Sequence, residues 1–365
     1  MSVPRPRAFA LPGDVYNAVP PRVIFGAGSF AQVAEEVAHY GAQRAVVLST
    51  PGRGKLAGRV ADLLGARCAG ILPEAISQVP IELTIRERER AQAMGADCLV
   101  SVGGGASIGL GKGIALGLPL PIVAIPTTYS GSEMTGFCGI TIDGVKRMHT
   151  SLNMLAGTVI YDPELTLSLP LDVSAASAMN ALAHCVDAIY VPTVSPMVAL
   201  AAVEGARVLM EALPRVAHRP DDIYARTDLL YGAHLGGVAL TGGFALQHGL
   251  AHVLGGTFGV SHGLSHALVL PHVAAYNARF APDALKPLTA VAEGGDIGGA
   301  IFDLLVATGL PTSLAAIDFA ESDLDRAAAL TVETDNGLNP GPVTLEGVRK
   351  ILDDAFAGRR PQPVL

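Results

Sequence analysis

"SVGGGASIGLGK", Ser101 to Lys112, decides the fold. A fully apolar strand pattern runs into it from Cys98, and a helical pattern leaves it. Gly103, Gly104 and Gly105 lie between the two. Without side chains, backbone N–H groups at a helix start can approach a pyrophosphate closely, and the helix dipole favours negative charge there. The stretch is not a Walker A loop, because Gly113 follows Lys112 where that motif needs Ser or Thr. Gly103, Gly104, Gly105, Ala106 and Ser107 are therefore the first candidates for a dinucleotide phosphate site.

Upstream and downstream, short apolar runs alternate with helical patterns. "RVIFG", "RAVVLST", "PIVAIPTT" and "TVIYD" read as buried strands. "GSFAQVAEEVAHYG" and "IELTIRERERAQAMG" read as helices, each closed by a glycine. Such alternation predicts a mainly parallel sheet with helices on both faces. In sheets of that kind ligands bind beyond the carboxyl ends of the strands. "PTTYSGSEMT", Pro126 to Thr135, occupies such an end, and the hydroxyls of Thr127, Thr128 and Ser132 suit a ribose or a phosphate.

A second glycine turn, "FGAGSFA", fits G-x-G-x-x-A. It reads either as a plain tight turn or as a dinucleotide fingerprint. The fingerprint also wants an acid about 20 residues on. Here the next strand ends in Ser49 and Thr50, with no carboxylate. Nothing at Ser49 and Thr50 would repel a 2′-phosphate, so both NADH and NADPH are expected to be accepted.

After "YDPELTLSLP" the pattern changes. From about Ser174 the periodicity is helical, with almost no strand signal. Residues 1–165 are expected to form an α/β dinucleotide-binding domain and residues 166–365 an α-helical catalytic domain. The chain of 365 residues is long enough for two such cores. A net charge of −8 argues against a nucleic-acid binder. Cys68, Cys98, Cys138 and Cys185 are scattered without a C-x-x-C pair, which is reduced, cytoplasmic usage. The start of the chain lacks the apolar run of a signal peptide, and no apolar stretch approaches the roughly 20 residues of a membrane span. A soluble cytoplasmic protein without membrane partners is expected.

The helical half carries an unusual density of imidazoles. His248, His252, His262, His266 and His272 are five of the ten histidines. His248 and His252 are i, i+4 and share a helix face, as do Asn180 and His184 on another helix. A lone histidine on an apolar face is commonly a core residue. This concentration points instead to a cluster able to ligate metal or donate protons.

At these residues the chain resembles the iron-containing alcohol dehydrogenase family. Its D-x-x-x-H, H-x-x-x-H and P-H-G segments correspond to Asn180, His184, His248 and His262, and its additional active-site histidine to His252. The resemblance covers almost the whole chain and implies a dehydroquinate synthase-like architecture, α/β followed by all-α. It assigns the cofactor to the residues above, together with Lys146. Three departures, Asn180 for an acid, Gly109 for an acid and a shortened "TTYSGSE" loop, resemble one branch, the maleylacetate reductases. So does "NPGP", Asn339 to Pro342. That branch implies NAD(P)H-dependent reduction of a C=C bond, maleylacetate to 3-oxoadipate, in aromatic catabolism. It also implies a homodimer, a small anionic substrate and no tightly bound metal. His252 and His262 would then polarise the ketone and supply the proton, His184 and His248 orient the substrate, and Asn180 donate to a substrate oxygen. Lys112 and Lys146 are the cations available for the carboxylates. The branch has "PHAETH" where this chain has "SHGLSH", and a histidine where this chain has Gln78. The other reading within the family is a metal-dependent reductase of a small aldehyde or 2-oxo acid.

Overall fold

The computed structural model describes residues 20–362 except 193, 293 and 294. The chain divides into two compact units between Leu169 and Pro170. The "MSVPRPRAF…" segment weighed above as a signal peptide lies outside the described residues.

The first unit is built on a six-stranded sheet. Its strands are β1 (Arg22–Phe25), β2 (Ala45–Leu48), β3 (Cys68–Leu72), β4 (Cys98–Gly103), β5 (Ile122–Pro126) and β8 (Thr158–Tyr161), in the order β1-β8-β5-β4-β2-β3. Every pairing is parallel. From β2 the chain steps outward to β3, then returns to the other side of β2 for β4 and continues through β5 to β8. The direction reverses between β2 and β4, the place where open α/β sheets bind ligands. Beyond the carboxyl ends of β2, β4 and β5 lie Ser49–Thr50, the triple glycine and Thr127–Thr128. Helices α1 (Val33–His39), α2 (Gly54–Leu64), α3 (Ile81–Ala93) and α4 (Gly105–Gly117) complete the layers. β2, β4, β5 and β8 are buried throughout, which is why they read as unbroken apolar runs.

Three elements of this unit escaped the sequence reading. β3, "CAGIL", has a glycine at its centre and is an edge strand, so its apolar signal is weak. α2 begins at Gly54, where no capping residue announces it. β6 (Phe137–Ile142) and β7 (Val145–Thr150) form an antiparallel hairpin. Asp143 and Gly144 turn it with φ of 51° and 75°. An Asp-Gly pair is the usual residue choice for such a two-residue turn.

The second unit contains helices α5 (Leu171–Ala188), α6 (Pro196–His218), α7 (Ile223–Leu240), α8 (Leu246–Phe258), α9 (His262–Asn277), α10 (Pro282–Val291), α11 (Ile297–Ala307), α12 (Leu324–Glu333) and α13 (Leu345–Ala357). Ser195, Asp222, Asp296 and Thr344 cap α6, α7, α11 and α13 by accepting backbone N–H groups of the first turn. α5 is buried on nearly all sides and packs against α6, α7 and α9. Small residues set how close its neighbours come. A Cβ at Gly236 of α7 would stand 2.8 Å from the Ala181 carbonyl oxygen of α5. A Cβ at Gly263 of α9 would meet the Ala176 carbonyl oxygen at the same distance. α10, α11 and α12 were not anticipated from sequence.

His234 on α7 and His272 on α9 are held at about 4. Burial is the cause for both; at His272 Asp354 pulls upward and Lys350 downward. Both are neutral in the fold and titrate near 6.5 when unfolded. Their contribution to stability is complete above pH 6.5 and is lost as pH falls towards 4. Acidification from about pH 7.5 to about pH 5.5 should remove on the order of 1 kcal/mol for each. Urea unfolding at the two pH values measures the loss. His272→Gln should flatten the profile, and an unchanged slope in that variant would exclude His272 as a source.

Candidate functional site

In the first unit the triple glycine has the expected form. Gly103 ends β4 at φ 137°, a value that favours glycine, and Gly104 is the residue before α4. A Cβ on Gly104 would lie 2.9 Å from Cγ2 of Thr128. The first N–H groups of α4 are thus presented on side-chain-free backbone. Around them the hydroxyls of Ser107, Thr127 and Thr128 are buried without a hydrogen-bond partner among the described residues. Buried hydroxyls are normally satisfied, so this cradle of orphaned donors fits a bound phosphate or ribose. Ser49 is committed otherwise, its hydroxyl donating to the Thr50 carbonyl at 3.2 Å.

The "FGAGSFA" turn is occupied from within. The Phe30 N–H donates to the Asp162 carboxylate at 3.0 Å, and Ser29 donates to the Tyr161 carbonyl. An internal acid stands where a phosphate would have to sit, so the plain-turn reading holds for this segment.

Lys112, one of the two cations counted as available from sequence, is committed within the first unit. It is 1% exposed, and its ammonium donates to the carbonyls of Ser132 and Phe137 and to the hydroxyls of Ser132 and Thr135. Burial lowers it to about 8. It braces the "TTYSGSEMT" loop onto α4, and Ser132 presents its hydroxyl to Lys112. Glu133 of the same loop is buried and accepts the Tyr161 hydroxyl at 2.7 Å. Lys146 lies on β7 with its stem over Gly139, and burial lowers its pKa. At Gly109, a Cβ would lie 2.6 Å from Cγ2 of Val79. Gln78 and Val79 both have positive φ, 67° and 47°, and Thr141 holds their two carbonyls. Val79 thus fills the space beside Gly109, and a carboxylate at position 109 does not fit with it.

In the second unit the histidines converge. Asn180 and His184 come from α5, His248 and His252 from α8, and His262 and His266 from α9. Ring centroids of His184 and His248 are 5.1 Å apart, those of His252 and His262 5.9 Å. His266, not singled out as a site residue from sequence, lies at the centre. It is fully buried, with ring centroids 4.7 Å from both His248 and His262 and 6.1 Å from His252. Neither of its ring nitrogens has a hydrogen-bond partner among the described residues. Its signal was present as the i, i+4 spacing to His262. His184 and His266 are both held well below 6.5, first by burial and then by the neighbouring imidazoles.

Asp187 was also missed. It lies one turn after His184 on α5, fully buried, and accepts Nδ1–H of His248 at 2.7 Å. It also accepts the Ala245 N–H and the Tyr190 hydroxyl. A carboxylate on Nδ1 fixes the tautomer and leaves Nε2 as the free face of the ring. "NPGP" acts from behind: Asn339 and Asn277 exchange amide hydrogen bonds at 2.8 and 2.9 Å, and Asn277 reaches the Tyr190 hydroxyl.

The four positions that resemble the family's metal ligands offer an amide and three imidazoles, with no anion. Among the described residues, the group of three or more acids, thiols or imidazoles whose ligand atoms lie within 4.8 Å of one another is His252, His262 and His266, which shares only His262 with those four. The four family positions lack an anionic ligand, which weakens their hold on a divalent ion without forbidding it.

Two family models match the chain: "Iron-containing alcohol dehydrogenase" over residues 20–163 and "Fe-containing alcohol dehydrogenase family, C-terminal" over residues 174–356. The chain is 42% identical over 348 residues to a maleylacetate reductase of Burkholderia cepacia, covering 95% of this chain and 99% of that one. A protein of Ralstonia eutropha JMP134 named as an alcohol dehydrogenase has the same fold with a TM-score of 0.93 and 45% identity, covering 96% of this chain and 100% of that one. The maleylacetate reductase of Agrobacterium tumefaciens gives 0.91 and 44%, with 96% and 100% covered. The chain belongs to the iron-containing alcohol dehydrogenase family.

Proposed function

We propose that the chain reduces the C=C bond of maleylacetate to give 3-oxoadipate, as a cytoplasmic homodimer that works without a tightly bound metal. The observation that carries this reading is Asn180 in place of an acid beside a cluster of imidazoles, of which His184 and His266 are held well below 6.5 by burial. Its likeness over nearly the full chain to maleylacetate reductases supports the same choice. The alternative is a metal-dependent reductase of an aldehyde or 2-oxo acid. It is weakened by the lack of an anionic ligand at position 180.

NADH or NADPH, when bound, supplies the hydride that reduces the alkene carbon. Gly103, Gly104, Gly105, Ala106 and Ser107 present backbone N–H groups to its pyrophosphate, and Thr127 and Thr128 offer hydroxyls. His184 and His248 orient the substrate, the latter with its Nδ1–H fixed by Asp187. His252 and His262 would donate to the ketone oxygen, where enolate charge develops, and relay a proton from solvent to carbon. Asn180 donates to a substrate oxygen. An enolate spreads its charge, so neutral donors suffice where an isolated alkoxide would call for a Lewis acid.

Four outcomes are expected. NADH oxidation with maleylacetate should persist after prolonged chelation and exceed that with an aldehyde panel. Asn180→Asp should raise affinity for zinc or iron and lower native turnover; loss of wild-type activity on chelation, restored by added metal, would overturn the reading. The kcat/KM values with NADH and NADPH should lie within about a hundredfold, roughly 2.7 kcal/mol; a wider gap would count against the reading of Ser49 and Thr50. Gly104→Val should raise the cofactor KM about tenfold or more, through its clash with Thr128 and the blocked N–H groups. An unchanged KM in a folded variant would exclude this turn as the pyrophosphate site.

A further inference from the structure

His262 and His266 are one turn apart on α9, and His252 reaches them from α8. Two imidazoles at i and i+4 on one helix face are a recurrent half of zinc sites. The third ring arrives from a separate element, as three-histidine sites require. The ligand nitrogens already lie within 4.8 Å of one another. Tetrahedral zinc, with bonds of about 2.0–2.1 Å, needs nitrogens roughly 3.4 Å apart. The three nitrogens would have to draw together by up to about 1.4 Å to reach that spacing. The three rings form a gradient of access: His262 is exposed, His252 half-buried and His266 fully buried. An ion can therefore enter from solvent at His262 and end against His266. Both nitrogens of His266 lack partners among the described residues, so ligation there breaks no hydrogen bond. The nearest anion of the cluster is Asp187, one imidazole removed, behind His248.

We propose that His252, His262 and His266 form a site for a zinc-class divalent cation, which shares His262 with the four positions that resemble the family's metal ligands but uses His252 and His266 in place of Asn180, His184 and His248. Three neutral imidazoles with a water as the fourth ligand make a site of moderate affinity that exchanges its ion. Its occupant ties up His252 and His262, so it acts as an inhibitor. That inhibitory consequence rests on the roles given to those two histidines under the proposed function; the binding itself does not.

The test uses Co2+ alone with the full chain and no substrate, so failure of maleylacetate reduction would leave it intact. The wild type should bind one equivalent, with the intense visible absorption of a tetrahedral cobalt centre. His266→Ala should weaken binding by about tenfold or more and bleach that band. His184→Ala should leave both unchanged. His252→Ala repeats the first outcome at a less buried position, in case His266→Ala does not fold. Zn2+ should inhibit the wild-type reductase reversibly, with chelator restoring it. Absence of Co2+ binding to the wild type would overturn the proposal. So would binding that His184→Ala abolishes and that His266→Ala or His252→Ala leaves intact.

Discussion

The carboxylate of Asp187 is the constraint on which the helical unit is organised. It is fully buried, yet it accepts hydrogen bonds from His248 Nδ1–H, the Tyr190 hydroxyl and the Ala245 N–H. A buried carboxylate left unpaired would be strongly destabilising, so these donors are obligatory rather than ornamental. Two of its partners, Ala245 and His248, belong to the start of α8, where the helix dipole also favours negative charge. One side chain of α5 thereby fixes where α8 begins and how its first histidine is turned. Through Tyr190 and Asn277 the same network extends to Asn339. "NPGP" therefore acts through packing behind the histidines and touches none of them in the interactions described.

The α/β unit solves the opposite problem with the opposite charge. There the irregular backbone after β5 exposes carbonyls, and the buried Lys112 ammonium collects two of them together with two hydroxyls. In each unit one buried ion holds a loop or helix start that the regular ladder cannot hold. Burial pulls Lys112 down to about 8, and its four oxygen partners offset the loss of water. This explains why a lysine counted from sequence among the available cations is committed within its own unit: spacing along the chain does not say which side of α4 is outside.

What was legible in the sequence follows the strength of each local signal. Fully buried strands such as β4 and β5 have no polar face and are plain in a one-dimensional reading. β3 has Gly70 packed under Met94, a contact that sequence cannot supply. The helical character expected from about Ser174 onward holds, because the apolar residues there recur with helical spacing. α10 and α12 were lost in short, mixed segments. The imidazole cluster was visible as a density of one residue type. Its centre was not, because His266 and Asp187 acquire their importance only from neighbours on other helices. The triple glycine was legible for the opposite reason: its message is the lack of side chains, and that is written in the sequence itself.

The exchange at position 180 and the protonation of the cluster are two sides of one electrostatic fact. An aspartate among these rings would favour their charged forms and raise their pKa values. With asparagine there, burial acts on His184 with no opposing anion at that position. The other imidazoles reinforce it, and His184 stays well below its ordinary range. His266 follows the same rule, with four histidines around it. Neutral rings donate hydrogen bonds without presenting fixed positive charge, so they meet a developing enolate without holding an anionic product afterwards. A metal at the same place would stabilise substrate and product carboxylates as well as the transition state. Replacing one acid by its amide therefore changes the ion the site can hold, the charge of its donors and the kind of intermediate it favours, all in the same direction.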